Sequence, residues 1–161
     1  MKRLPFVMLA FAAMPFSALA GDGALFYVAA GASKGGGNFG IGLGTNIDVL
    51  EVSSINIGTV TGNASARFRG LSLVQNSAPV KDFNLLFRLG IGKTTTTFAD
   101  GAQASRTGFS KGVILGLGAQ YQLNSHLALR GEVDRITYAA SADGLSSATT
   151  YPATLSALFI F

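Results

Sequence analysis

Only 12% of the 161 side chains are charged, where a soluble domain carries about 25%, yet beyond residue 20 no stretch is long and apolar enough for a membrane helix. Twelve basic residues against eight acidic ones leave a formal charge of +4, which drops to about +2 once Lys2 and Arg3 are set aside, too little and too dispersed for a nucleic-acid partner. The absence of cysteine excludes both a disulfide framework and a thiolate metal site.

Met1-Lys2-Arg3, an apolar run to Phe16 and Ala18-Leu19-Ala20 before Gly21 are the three parts of a secretory signal peptide, with cleavage expected after Ala20. A retained membrane helix is disfavoured, because Pro5 and Pro15 interrupt a run already shorter than the roughly 20 residues a span needs. Residues 21–161 then form one exported domain.

The first strand is expected from Ala24 to Ser33, followed by a flexible turn, Lys34 to Asn38. Phe39 to Thr45 alternates large apolar residues with glycine, so its inner face leaves room for side chains from across a narrow barrel. A third strand runs from about Val49 to Val60. There Ile55 and Ile57 share the parity of Glu51, which predicts a bulge near Ser53-Ser54. A fourth strand, Ala64 to Val74, carries Arg67 and Arg69 at the parity of Leu71 and Leu73, and the same reasoning predicts a bulge around Gly70. After a turn at Gln75 to Asp82, strand five, Phe83 to Phe98, sets Phe83, Leu85, Phe87, Leu89 and Ile91 opposite Asn84, Leu86, Arg88, Gly90 and Gly92. Ala99 to Arg106 and Ala139 to Ser147 read as outer loops, and Tyr151 to Phe161 as the last strand.

Lys111 to Asp134 is the most strongly patterned stretch. Val113, Leu115, Leu117, Ala119, Tyr121 and Leu123 alternate with small residues and amides, with Ile114 out of place; Leu127, Leu129 and Val133 then lie opposite Arg130, Glu132 and Asp134. Asn124-Ser125-His126 turns one half back on the other as a hairpin. An oily face of about ten residues backed by small and charged ones is the pattern of a strand with lipid outside and a tight polar interior.

Leu123-Asn124-Ser125-His126-Leu127-Ala128-Leu129-Arg130-Gly131-Glu132 resembles the turn between the sixth and seventh strands of the transmembrane domain of outer-membrane protein A and its small relatives. Asn84 to Gly92 and the terminal phenylalanine echo the same family. The resemblance implies an all-β, eight-stranded antiparallel transmembrane up-and-down barrel in the outer membrane, monomeric and non-enzymatic, with a structural or surface-interaction role. Phe159 and Phe161 resemble the terminal signal read by the barrel-assembly machinery, which with periplasmic chaperones is the expected partner in biogenesis. Eight strands of about ten residues occupy roughly 80 residues, leaving no room for the peptidoglycan-binding domain of larger relatives.

Apparent catalytic motifs dissolve on inspection. Gly90-Ile91-Gly92-Lys93-Thr94 lacks the first glycine of a phosphate-binding loop, where Phe87 stands, and lacks a following helix. The glycines of Gly40 to Gly44 repeat at two, not at two and three, so the dinucleotide fingerprint fails. Ser125, His126 and Glu132 suggest a lipid-modifying hydrolase, but the first two fall in a turn expected on the periplasmic side and Glu132 farther up the inner wall. One histidine without cysteine makes a metal site poorly supported, and no cofactor is expected.

Three sets of residues remain. Glu51, Arg67, Arg69, Arg88, Arg130, Glu132 and Asp134 are expected inside the barrel, either as a salt-bridged plug or as the lining of a narrow, porin-like ion path. Phe26, Phe83, Tyr121 and Phe161 at one end, with Phe39, Phe98, Phe109 and Tyr151 at the other, suggest two interfacial girdles, though without tryptophan. Lys93, Lys111 and Arg135 share the lipid-facing parity near the outer ends; they are either ordinary rim residues or, with Arg106, contacts for the phosphates of lipopolysaccharide. A soluble periplasmic barrel with these faces reversed is the remaining alternative; it fits poorly, because the polar face has more glycine and alanine than a solvated exterior usually shows.

Overall fold

Alternating apolar and small or polar residues over nearly all of residues 24–161 favour strands, and strands whose edges cannot be left unpaired in lipid close on themselves. A computed structural model describes residues 24–61, 64–98, 106–139 and 147–161, the side chains of residues 61, 98, 106 and 107 excepted. The expected signal peptide and its cleavage point after Ala20 lie outside the described residues, as do residues 99–105 and 140–146 of the two expected outer loops. The strands are β1 (Leu25–Ser33), β2 (Gly36–Gly44), β3 (Asp48–Thr61), β4 (Ala64–Asn76), β5 (Phe83–Phe98), β6 (Arg106–Asn124), β7 (Leu127–Ala139), β8 (Ser147–Thr150) and β9 (Ala153–Ile160). All pairings are antiparallel: β1 to β7 each pair with the next strand in sequence, β9 pairs with β7, and β1 closes on β9.

β8 and β9 are one stave with a break at Tyr151-Pro152. Both pair with β7 in the same register, and across the gap Asp134 N–H donates to the Pro152 carbonyl at 3.0 Å. Proline has no N–H to return to the ladder, which is sufficient cause for the interruption. The barrel therefore has eight staves. A circuit of direct partners from Leu158 through Ala29, Gly40, Ser53, Gly70, Gly92, Gly112 and Tyr138 returns to the eighth stave at Ala148, ten residues from its start. Such a stagger accompanies strands tilted by roughly 35–45° and an interior only wide enough for side chains.

Outward, rows of direct cross-strand partners are apolar and exposed: Leu50, Leu73, Leu89 and Leu115 in one, Val52, Leu71, Ile91 and Val113 in the next. A soluble surface does not sustain an apolar band of this extent. The faces are thus opposite to those of a soluble ligand-binding barrel.

Neither expected bulge lies where the alternation suggested. β3 pairs without interruption through Ser53 and Ser54, its register shifting only between Asn56 and Gly58 and between Thr59 and Thr61. Gly58 takes a φ of +88° there, and its backbone is packed so closely on Gly35 that a Cβ on Gly35 would stand 2.2 Å from Gly58 N. β4 pairs with β5 continuously from Ala64 to Asn76. Arg67 and Arg69 therefore face outward with Leu71 and Leu73, while Phe68, Ser72 and Val74 face inward.

The expectation failed because it took the interior to be polar along its whole length. Ile55, Phe68, Ile114, Ile136 and Tyr138 form a buried apolar cluster inside the half of the barrel nearer the 99–105 and 140–146 connections. Tyr27, Ala29, Val49, Val74, Leu86, Ala128 and Leu158 form a second one nearer Leu25 and Ile160, which pack against it. The order along each strand places charge between them: Val49, Glu51, Ser53, Ile55 on β3, and Ala128, Arg130, Glu132, Asp134, Ile136 on β7.

Candidate functional site

Glu51, Arg88, Arg130, Glu132 and Asp134 are all buried in that middle layer. Arg88 binds Glu132 through two parallel bonds, Nε to Oε1 and Nη2 to Oε2, each 3.0 Å, a fork geometry that only a guanidinium supplies. Its Nη1 donates to Glu51 Oε1 at 2.7 Å and to Ser53 Oγ at 3.3 Å. Arg130 Nη1 donates to the other oxygen of Glu51, also at 2.7 Å, so one carboxylate from β3 bridges guanidiniums from β5 and β7. Arg130 Nε and Nη2 both reach Gln120 Oε1, at 3.3 and 3.2 Å. The guanidinium also stands 4.9 Å from the centroid of the Tyr27 ring, whose hydroxyl donates to Glu51 Oε2.

Glycines create the space. A Cβ on Gly42 would meet the Tyr27 ring at 2.3 Å, and one on Gly116 would meet Asp134 Oδ1 at 2.3 Å. Gly116 lies directly between Arg88 and Asp134 in the register, so these two side chains approach each other over a bare backbone. Asp134 Oδ1 and Arg88 Nε are 3.7 Å apart, beyond hydrogen-bond distance, and neither Asp134 oxygen accepts a hydrogen bond. Two guanidiniums therefore face three carboxylates. A cavity of about 20 Å³ beside Glu51, Arg88 and Arg130 has room for roughly one water.

Tyr27 and Gln120 belong to this layer and were not singled out from the sequence. Their only signal there is parity: Tyr27 faces the glycine side of β2, and Gln120 lies on the small-residue side of β6. Arg67 and Arg69, expected inside, are instead part of an outward cationic surface. Arg69, Lys93 and Lys111 are direct partners across β4, β5 and β6, all three exposed, and Arg67 lies opposite Thr95. Lys93 Nζ lies 4.8 Å from the centroid of the Phe109 ring. Arg135 also faces outward, but opposite Leu115, four residues along β6 from Lys111, or roughly 13 Å. It is not the immediate neighbour that its parity suggested. The side chain of Arg106 lies outside the described residues.

Ser125 and His126 are exposed in the β6–β7 turn, whereas Glu132 is buried and bound to Arg88, so the three are not assembled for hydrolysis. Among the described residues no three His, Cys, Asp or Glu side chains cluster to hold a metal. Of the girdle aromatics, Phe83 pairs directly with Tyr121, the Phe26 and Phe161 rings meet at a tilt of 43° with centroids 5.6 Å apart, and Phe109 and Tyr151 are exposed toward the other end. Phe159 is exposed two residues before the terminal Phe161.

No protein-family model and no curated protein matches the sequence. The fold does match solved structures. The N-terminal β-barrel domain of Pseudomonas aeruginosa OprF is 14% identical with a TM-score of 0.62, over 87% of this chain and 98% of that one. Neisserial surface protein A is 12% identical with a TM-score of 0.55, over 85% and 92%. Ail, the attachment invasion locus protein of Yersinia pestis, is 14% identical with a TM-score of 0.52, over 86% and 95%. The chain has the closed eight-stranded antiparallel architecture of these barrels.

Proposed function

We propose that this chain is a small, monomeric outer-membrane barrel with a structural or surface-interaction role, and that its lumen is plugged instead of conducting. The observation that carries the reading is the layering of the interior, in which paired charges are enclosed between two apolar clusters and the adjoining cavity has room for roughly one water. An ion path needs a continuous wet route with exchangeable ligands, whereas here each guanidinium is already bonded to carboxylate. The apolar outer band supports placement in a bilayer, and the leading 20 residues support export by a cleaved signal peptide to the outer membrane. Phe159 and Phe161 would be presented to the barrel-assembly machinery after delivery by periplasmic chaperones. Two of the structural neighbours are a surface protein and an attachment invasion locus protein, which favours contact through the outer loops over chemistry in the lumen.

Three measurements test this. Membrane-extracted protein should migrate differently on a detergent gel before and after boiling; identical migration, or recovery with the soluble periplasm, removes the membrane reading. In planar bilayers the wild type should show little steady conductance, and a large stable open state would establish the porin-like alternative. Loss of a lipid acyl chain dependent on His126 would overturn the non-enzymatic reading.

A further inference from the structure

Like charges placed directly opposite each other on neighbouring strands repel, and cations on a lipid-facing surface lose hydration. Arg69, Lys93 and Lys111 do both: Arg69 is the direct partner of Lys93, and Lys93 of Lys111, all pointing outward. Among the described residues none of the three is ion-paired, since every salt bridge there belongs to Arg88 or Arg130. Apart from the Phe109 ring beside Lys93, these three adjacent cations have no counter-charge among the described residues, and an anion placed between them would relieve their repulsion.

The surface beside them has a shape that fits one. An open groove of about 930 Å³ crosses the outer face at this level. Its wall on the side of the 99–105 connection is Arg69, Lys93 and Lys111; the opposite wall, toward the middle of the barrel, is the apolar row Leu71, Ile91 and Val113. The floor is backbone, because Gly70, Gly92 and Gly112 are direct partners and the Phe68 ring fills their inner side. Cationic above and apolar below is the polarity of a lipid whose head lies toward the loops. Three cations spread over two strand spacings, about 10 Å, exceed what a single phosphate can bridge and suit a head group bearing two.

We infer that this groove docks one lipopolysaccharide molecule of the outer leaflet, with its phosphates between Arg69, Lys93 and Lys111 and an acyl chain along Leu71, Ile91 and Val113. The inference rests on the outer-membrane reading and adds a specific lipid contact to it. Arg69 takes the position expected of Arg135, which stands too far along β7 to share a phosphate with Lys111.

The test uses the full barrel purified in neutral detergent, with lipopolysaccharide, dephosphorylated lipopolysaccharide and inorganic phosphate as probes. Wild type should retain lipopolysaccharide through purification and unfold at a higher temperature when it is added. R69M/K93M/K111M, which keeps long side chains suited to a lipid face, should bind at least tenfold more weakly while still migrating as a folded barrel. Arg135→Met should behave as wild type. Retention by the triple variant equal to wild type, equal stabilisation by the dephosphorylated lipid, or equal stabilisation by inorganic phosphate overturns the inference. If the triple variant does not fold, the single variant Lys93→Met at the centre of the row decides by the same readouts. A wild type that fractionates as a soluble protein defeats the outer-membrane reading itself, whereas a membrane barrel that retains no lipopolysaccharide defeats only the docking site.

Discussion

Asp134 and Arg88 face each other across Gly116 at 3.7 Å, near enough to attract and too far to share a hydrogen. Glu51 and Glu132 already occupy the guanidinium with shorter contacts, at 2.7 and 3.0 Å, so Asp134 is the surplus acid of the layer. Replacing it with the isosteric amide removes an uncompensated charge without opening space. Asp134→Asn should therefore lie no more than about 1 kcal/mol below wild type in urea unfolding from lipid vesicles, whereas Glu51→Gln, which strips a bridge from both guanidiniums, should lose several. Equal losses in the two variants would mean that Asp134 contributes as a full member of the network.

Arg130 is held by Glu51, Gln120 and the Tyr27 ring together. Arg130→Ala leaves a buried carboxylate short of a partner and should cost about 3–5 kcal/mol. Arg130→Lys keeps the charge but has no fork to reach Glu51 and Gln120 at once, so it should recover only part of the loss. Complete recovery in the same unfolding assay would show that charge alone matters.

Leu89 separates the membrane and soluble readings by the sign of one substitution. It is 47% exposed in the outer row Leu50, Leu73, Leu89 and Leu115, four residues along β5 from the rim cation Lys93. Arginine there should cost roughly 2–4 kcal/mol if the face meets lipid near the midplane. On a water-facing surface the same change should be neutral and improve solubility, and that result would contradict the lipid-facing assignment.

Phe68 is fully buried, with its ring against the backbone of Gly70, Gly92 and Gly112, and it is central to the apolar cluster on the loop side of the charge layer. Phe68→Ala should cost about 3–5 kcal/mol by leaving a cavity. If that cluster is what closes the lumen, the folded fraction should also show brief conductance events absent from wild type. A destabilised but silent variant would assign the seal to the other cluster, around Tyr27 and Leu158.

Much of the architecture is determined by local chemistry, because the pleat puts alternate side chains on opposite faces wherever the chain is extended. Phe83 to Ile91, Val113 to Leu123 and Leu127 to Val133 identify their outer faces by that rule alone, and the rule places Arg88, Arg130, Glu132 and Asp134 inside. It goes wrong in β3 and β4, where Ile55 and Phe68 point inward and Arg67 and Arg69 outward. Polarity there reports height in the barrel instead of side: the inner face turns apolar beyond the charge layer, just as the outer face turns cationic at the rim. Only the hydrogen-bond register, unbroken from Ala64 to Asn76, decides which face each residue takes. Contacts across the barrel are further from the sequence still. Glu51 meets Arg88, Arg130 and Tyr27 because a ten-residue stagger and the bare backbones of Gly42 and Gly116 bring distant strands to one level. That stagger is a property of the closed sheet as a whole, and no single strand encodes it.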